Sequence, residues 1–350
     1  MTTGAGNPLW RADGRGFDRL FIACVTPFAH GSYEVDEEAL ATLLREFTQP
    51  RHVEAGIGII INPEAGECYY LSPEEKRRNV EIAVEICDER VPVMAGAIAA
   101  TTKDTVRAAM DAKDAGADGI FVLPPIGAMD VTITWDAQRY PEVWIDMVKA
   151  VDEAVDLPLI AHPVSLYRAP YGAGFPPEAT LKMCQEIENI VGWKMTYNWE
   201  GWKQVADGLR SLDRHVAVLG AAARCFHEAL ACDIFDGAAT GSFNYALEPM
   251  LDHLETYRSG DHGGALERWN GGLRQLHAYV GNDASRLHVR YKAATWLAGK
   301  IPHPLMCPPM PRPSREELRV LRELLERVGV QVLDEAYVRQ AAETMQLGLA

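Results

Sequence analysis

Asp114-Ala115-Gly116-Ala117-Asp118-Gly119-Ile120-Phe121-Val122-Leu123 takes the chain out of a helix and into a strand in one short passage. The periodic segment Thr102–Ala115 ends on Gly116, the residue type that closes helices, and the apolar run Gly119–Leu123 follows at once. That run does not alternate with polar residues, so it reads as a strand buried on both faces, as in a parallel sheet. The same unit recurs along the chain. Runs of strand type occur at Leu20–Val25, Gly56–Asn62, Pro92–Gly96, Gly119–Leu123, Pro158–His162, Ile190–Met195, Val216–Leu219 and Gly237–Thr240. Segments of helical period separate them: Asp36–Phe47, Pro73–Asp88, Thr102–Ala115, Trp135–Ala154, Pro177–Glu188, Glu200–Leu212 and Ala221–Cys232. Ser72-Pro73-Glu74-Glu75 marks one start, with a capping serine, proline at the first helical position and glutamate at the capping-box position. Repeating strand–helix units of this number predict an α/β fold, a (β/α)8 TIM barrel. A doubly wound open sheet is the alternative, but no G-x-G-x-x-G follows the first strand.

Beyond the eighth strand the pattern is helical: Leu247–Ser259, His262–Val280, Ser285–Ala298 and Ser314–Arg327. Six of the 21 prolines fall within Ile301–Pro313, which predicts an irregular connector. The expected organisation is an N-terminal arm over residues 1–16, a barrel over 17–246 and a C-terminal helical extension over 247–350.

The 350 residues carry 34 Lys and Arg against 49 Asp and Glu, a net charge of −15, and 48% are hydrophobic. An acidic chain with scattered basic residues argues against nucleic acid or an anionic membrane surface as partner. Seven cysteines, an odd number without C-x-x-C, predict reduced thiols. No apolar run approaches the ~20 residues of a membrane span, and Met1–Gly16 has no signal-peptide core, so a cytoplasmic protein is expected.

In a barrel of this type the chemistry sits at the C-terminal ends of the strands. The candidates there are Thr26, Asn62–Glu67, Leu123–Ile126, His162, Lys194 and Gly241–Asn244. Lys194 is the anomaly, because it interrupts the apolar strand Ile190-Val191-Gly192-Trp193-Lys194-Met195. Such a lysine must snorkel to water, pair with a carboxylate, or stay neutral with a depressed pKa. In the last case it can form an imine with a substrate carbonyl. There is no H-E-x-x-H, no zinc-type Cys/His spacing, no G-x-S-x-G and no P-loop, so no metal or cofactor is expected.

Leu20–Pro27, Gly66-Glu67 with Leu71-Ser72-Pro73-Glu74-Glu75-Lys76, Pro92–Gly96 and Val191-Gly192-Trp193-Lys194 together resemble the dihydrodipicolinate synthase/N-acetylneuraminate lyase superfamily. The resemblance runs from about Asp18 to Val330 and implies a class I, Schiff-base enzyme on a (β/α)8 barrel, with Lys194 as the imine lysine. The family's second-strand loop reads G-T-T-G-E, and this chain has Pro63-Glu64-Ala65-Gly66-Glu67. Its fifth-strand tyrosine, in L-P-x-x-x-Y-N, is matched here by His162 in Leu157–Pro163. The tyrosine pair after the fourth strand is replaced by Leu123-Pro124-Pro125-Ile126.

These departures set the expectations for the site. His162, with an imidazole pKa of about 6.5 in place of a phenol, becomes the acid/base group. Substrate contacts are expected from Glu64, Ala65, Gly66, Asn62, Arg168 and Asn244. Glu64 would repel a substrate carboxylate unless it turns away, so either backbone N–H groups around Ala65-Gly66 hold the acid, or Glu64 meets a hydroxyl, an amine or water. Tyr197 and Trp199 are further candidates to cover a substrate, whereas Trp193, adjacent to Lys194, points to the other side of its strand. Three functional readings stand: a lyase of aldolase or hydratase-aldolase type acting on a 2-oxo acid such as pyruvate or its aldol adduct; a dehydratase of a 2-oxo-3-deoxy sugar acid by the same imine chemistry; and an inactive barrel serving as a small-molecule sensor or scaffold. The resemblance also implies a homodimer or homotetramer.

Overall fold

The eight apolar runs form eight parallel strands: β1 (Leu20–Ala23), β2 (Ile57–Ile61), β3 (Val93–Ala97), β4 (Gly119–Val122), β5 (Leu159–Ala161), β6 (Ile190–Met195), β7 (Ala217–Gly220) and β8 (Gly237–Thr240). Each pairs with its neighbour in sequence, and β8 pairs back onto β1, so the sheet closes into a barrel. The computed structural model describes residues 15–125, 135–164, 170–221 and 223–348. An open doubly wound sheet is thereby excluded.

Two cores follow from the alternation of side chains along each strand. One set points outward and packs under the helices, among them Ile22, Ile59, Ile61, Val122, Trp193 and Val218. The other fills the barrel: Phe21, Ile60, Met94, Phe121, Ile160, Leu219 and Ala239. Room for these large groups comes from small inward neighbours. A Cβ on Gly192 would lie 2.9 Å from Leu219 Cδ1 and 3.3 Å from Ile160 Cγ1, so a larger residue there would displace the Leu219 side chain. Burying each of the larger side chains contributes about 1.5–3 kcal/mol, which makes the lower barrel a rigid plug beneath its mouth.

The helices differ from the sequence expectation in detail. The helix expected over Trp135–Ala154 runs Glu142–Val155. The Asp136 carboxylate accepts from Gln138 N–H and Arg139 N–H, and this turn competes with helix before Pro141. The segment His262–Val280 is divided by a π-turn at Trp269–Leu273. Short helices at Pro50–Glu54 and Glu335–Thr344 had no counterpart in the sequence pattern. After β8 the helix Phe243–Arg258 kinks at Ala246, where the backbone leaves helical geometry. The helices Leu287–Leu297 and Arg315–Arg327 then pack on each other. All seven cysteines are free, with Cys24, Cys68, Cys87 and Cys184 buried. Among the described residues no helix is long and apolar enough to cross a membrane.

Candidate active site

The ladder between β5 and β6 pairs Ile160 with Gly192 and Ala161 with Trp193. One further step sets His162 beside Lys194, and the period of two turns both side chains inward with Ile160 and Gly192. Lys194 Nζ lies 3.4 Å from His162 Nδ1. Phe121 forms the floor: its ring centroid is 5.2 Å from Lys194 Nζ and 5.4 Å from the His162 ring. Both polar side chains are nearly closed to solvent, Lys194 at 8% exposure and His162 at 4%.

Glu64 completes the group. It opens the short 3-10 turn Glu64–Gly66 after β2, and its Oε1 lies 2.7 Å from His162 Nδ1. A carboxylate only accepts, so Nδ1 carries the proton and donates it to Glu64, leaving Nε2 as the basic nitrogen. Lys194 approaches the same Nδ1 edge at the longer distance. The residues that stand in place of the family's threonine and tyrosine are thus bonded to each other.

The electrostatics agree with this assignment. Burial pushes the Glu64 carboxyl up, but the attraction of His162 and Lys194 and the hydrogen bond from His162 outweigh it and hold Glu64 well below the carboxylate range. Burial pushes His162 down to about 4, against the pull of Glu64. Burial also lowers Lys194, opposed by Glu64. The site therefore holds an anionic carboxylate, a neutral imidazole at neutral pH, and a lysine that gives up its proton more readily than an exposed one, the direction that favours attack on carbonyls.

The turn that carries Glu64 is fixed from outside the barrel. Gly66 packs so closely that a Cβ would lie 2.8 Å from Cys24 O and 3.0 Å from Thr26 Oγ1. Glu67 has a left-handed backbone, φ 58°, an uncommon state for a residue with a side chain. Its carboxylate accepts from Lys292 Nζ at 2.7 Å and from Cys307 N–H at 2.8 Å. Lys292 is fully buried and also lies 4.1 Å from the Phe28 ring centroid. Burial pushes Glu67 up and Lys292 down, each opposed by the other. Lys292, Tyr291 and His288 come from the helix Leu287–Leu297 of the extension, which packs on the Glu64–Gly66 turn. Sequence reasoning missed them, although Lys292 lay between Val289 and Trp296 on an apolar helix face and could have been flagged.

Several expected contacts are corrected. The Asn62 amide donates to Lys76 O at 2.8 Å and accepts from Asn79 at 3.0 Å, so it anchors the helix Pro73–Cys87. The Asn244 amide donates to Ala23 O and Gly241 O and accepts from Val25 N–H, which ties the chain after β8 to the end of β1. Both amides are engaged within the chain. Gly66 N–H is engaged by Pro63 O at 3.0 Å, which removes it from the expected anion-binding nest. Ala65 is buried beside Glu64, and Arg168 lies outside the described residues. Tyr197 belongs to the core, with its hydroxyl between Thr180 and the Trp193 indole N–H. Trp193 packs against Trp144 and Phe175 on the outer side of β6, as its strand position required. Among the described residues Thr26 Oγ1 is buried without a partner next to Gly66 of the Glu64 turn, a hydroxyl that the strand-end rule had selected.

At the opposite end of the barrel Asp18, His215 and Asp236 converge. His215 Nε2 lies 2.6 Å from Asp18, and Arg210 grips both Asp236 oxygens at 2.6 and 2.7 Å. Arg210 on Asp236 and the His215 contact to Asp18 already engage these carboxylates, so the group reads as a polar network supporting the fold.

The chain matches the Dihydrodipicolinate synthetase family over residues 16–328 and belongs to that family. A 4-hydroxy-tetrahydrodipicolinate synthase of Syntrophobacter fumaroxidans is 30% identical over 319 residues, covering 90% of this chain and 99% of the relative. The enzyme of that name from Methanopyrus kandleri is 28% identical over 322 residues, covering 88% and 95%. Another, from Syntrophus aciditrophicus, is 33% identical over 204 residues, which span 58% of this chain and 62% of the relative. Among solved structures, YagE of E. coli K12, described as a member of the dihydrodipicolinic acid synthase family in complex with pyruvate, superposes with a TM-score of 0.74 at 21% identity, covering 90% of this chain and 99% of that one. The dihydrodipicolinate synthase of Thermotoga maritima gives 0.74 at 22% identity, covering 89% and 99%. At such identities the structural likeness speaks to the fold.

Proposed function

We propose that the chain is a class I lyase of aldolase or hydratase-aldolase type, forming an imine between Lys194 and the ketone of a 2-oxo acid of the pyruvate class. Membership of the family supports the class of chemistry. The observation that carries the reading is the approach of Lys194 Nζ to His162 Nδ1 at 3.4 Å, with that nitrogen bonded to Glu64 at 2.7 Å, in a nearly closed mouth.

The neutral amine adds to C2 of the ketone, forming a C–N bond. Expulsion of the ketone oxygen as water needs a proton delivered and one removed from nitrogen, and the Nδ1–H of His162 with the Glu64 carboxylate behind it can exchange both. The protonated imine is then the electron sink. When the C3–C4 bond of an aldol adduct breaks, its electron pair moves into C2–C3 and the C=N pair onto nitrogen, leaving an enamine and a free carbonyl product. Protonation at C3 and attack of water on the imine return pyruvate and the amine. Dehydration of a 2-oxo-3-deoxy acid passes through an enamine of the same kind. The substrate carboxylate is assigned to the Ala65 side of the turn and to the Thr26 hydroxyl, away from anionic Glu64. In this reading the enzyme assembles as a homodimer or homotetramer.

Borohydride reduction in the presence of pyruvate, followed by peptide mass mapping, tests the reading. One reduced pyruvyl group on Lys194, absent from Lys194→Arg, is the expected result. An enzyme that turns over a 2-oxo acid without any adduct on Lys194 overturns it. A chain that neither traps nor turns over any such acid returns the scaffold reading.

A further inference from the structure

Phe121 pairs with Gly96 of β3 on one side of β4 and with Ile160 of β5 on the other. Its side chain is fully buried inside the barrel, in one cluster with Ile60, Met94, Ile160 and Leu219, none of them aromatic. The His162 N–H donates to Val122 O at 2.9 Å, which sets the end of β5 against the end of β4. Lys194 Nζ therefore stands over the Phe121 ring, 5.2 Å from its centroid, with the His162 ring 5.4 Å away and tilted by 33°.

The surroundings of Nζ are poor in acceptors for a cation. Among the described residues its hydrogen-bond contact is His162 Nδ1 at 3.4 Å. That nitrogen donates to Glu64, so it has no lone pair to offer, and the Glu64 carboxylate is already engaged by it. An ammonium brings three N–H donors into this setting, a protonated imine only one. The face of an aromatic ring attracts positive charge through its quadrupole and needs no hydrogen bond to do so.

We propose that Phe121 is a functional residue of this site, the face of its ring stabilising the positive charge of the protonated imine formed on Lys194. This rests on the imine reading above. In the carbinolamine the nitrogen is neutral. Its lone pair forms C=N as the C2 hydroxyl, protonated by the His162–Glu64 pair, leaves as water, and the nitrogen then carries the charge. The charge persists until the C3–H or C3–C4 pair moves into C2–C3 and the C=N pair returns to nitrogen. The transition states on either side of the protonated imine share its charge in part, and the ring lowers them relative to the free amine. Because the ring is held by the packed interior of the barrel, it needs no rearrangement when the charge appears.

The test replaces Phe121, in the full chain, by phenylalanines of increasing ring fluorination up to the fully fluorinated ring, which weakens the ring face in steps with little change of shape. Each protein is measured for borohydride trapping with pyruvate and for exchange of pyruvate C3 protons in deuterated water, on the alkaline plateau of the pH profile where the amine is already neutral. Urea midpoints are measured alongside. The expected result is an exchange rate whose logarithm falls in step with fluorination, by about tenfold at full fluorination, while the urea midpoints show no such trend. A rate that stays level across the series overturns the proposal. So does a single drop at the first fluorine with no further change, or a loss that follows the urea midpoints, since either would make Phe121 a packing residue. If the unaltered chain traps pyruvate on Lys194 and the series is level, the proposal for Phe121 fails alone and the imine reading stands. If the unaltered chain does not trap pyruvate, the imine reading is overturned and this proposal falls with it.

Discussion

His162 Nδ1 at the end of β5 lies 2.7 Å from Glu64 Oε1 in the turn after β2. The bond fixes the histidine tautomer and gives the carboxylate a partner in a mouth where an unpaired charge would be costly. Two residues that each depart from the family pattern are in this chain one device.

A double-mutant cycle should therefore be strongly non-additive. Glu64→Gln and His162→Gln are each expected to reduce pyruvate C3 exchange by about 10²–10⁴-fold, and the double variant to fall little below the worse single one. Exchange rates measured in deuterated water supply the cycle. Effects that multiply would mean that the two side chains act separately.

The pair Lys292–Glu67 joins the extension to the same turn at 2.7 Å, with both groups buried. Lys292→Met leaves the Glu67 carboxylate buried without its cation, and the expected loss is about 3–5 kcal/mol in urea unfolding. Adding Glu67→Leu to that variant should recover part of the stability, since an apolar pair can replace a buried ion pair. Activity should not return with it, because the left-handed backbone at Glu67 loses its side-chain anchor. A loss below about 1 kcal/mol in Lys292→Met would place this pair with exposed ones of little consequence.

Acid should destabilise the fold through buried histidines. Burial, with minor help from neighbouring cations, pushes His253 down to about 4 and His277 to about 3, and His162 is held at about 4. These folded values lie below the unfolded value of about 6.5, so from about pH 6.5 down to 4 the unfolded chain binds more protons. Stability present above pH 6.5 is lost as the pH falls through that window. Among the described residues both nitrogens of His277 lack partners. His277→Phe should retain about 2 kcal/mol more of its neutral-pH stability at pH 4.5 than the unaltered chain does. Urea midpoints measured at pH 7 and 4.5 decide it, and equal acid losses would show that His277 does not titrate on unfolding.

The barrel was legible because closed parallel strands are buried on both faces and so leave continuous apolar runs, and because helices between them announce their ends with residues such as Ser72 and Gly116. Lys194 was legible for the converse reason: a charge within such a run stands out and requires water, a carboxylate partner or a depressed pKa. His162 and Glu64 were found as departures from the family pattern, but nothing in either local sequence says that they touch. Asn62 and Asn244 look in sequence like loop polar groups near the site. Their amides prove to be engaged by backbone and by Asn79, because strand ends leave buried donors and acceptors that must be paired.

The sequence by itself determined the strand count, the inward period of β5 and β6, and the presence of one lysine placed where an imine can form. Tertiary structure alone decided which groups attend that lysine. Glu64 and His162, with Lys292 behind their turn, come from widely separated segments, and their arrangement depends on barrel closure and on the packing of the helix Leu287–Leu297 on the Glu64–Gly66 turn. Such contacts are long-range. The free energy that fixes them comes from burial and charge compensation between elements, and local sequence carries no record of it.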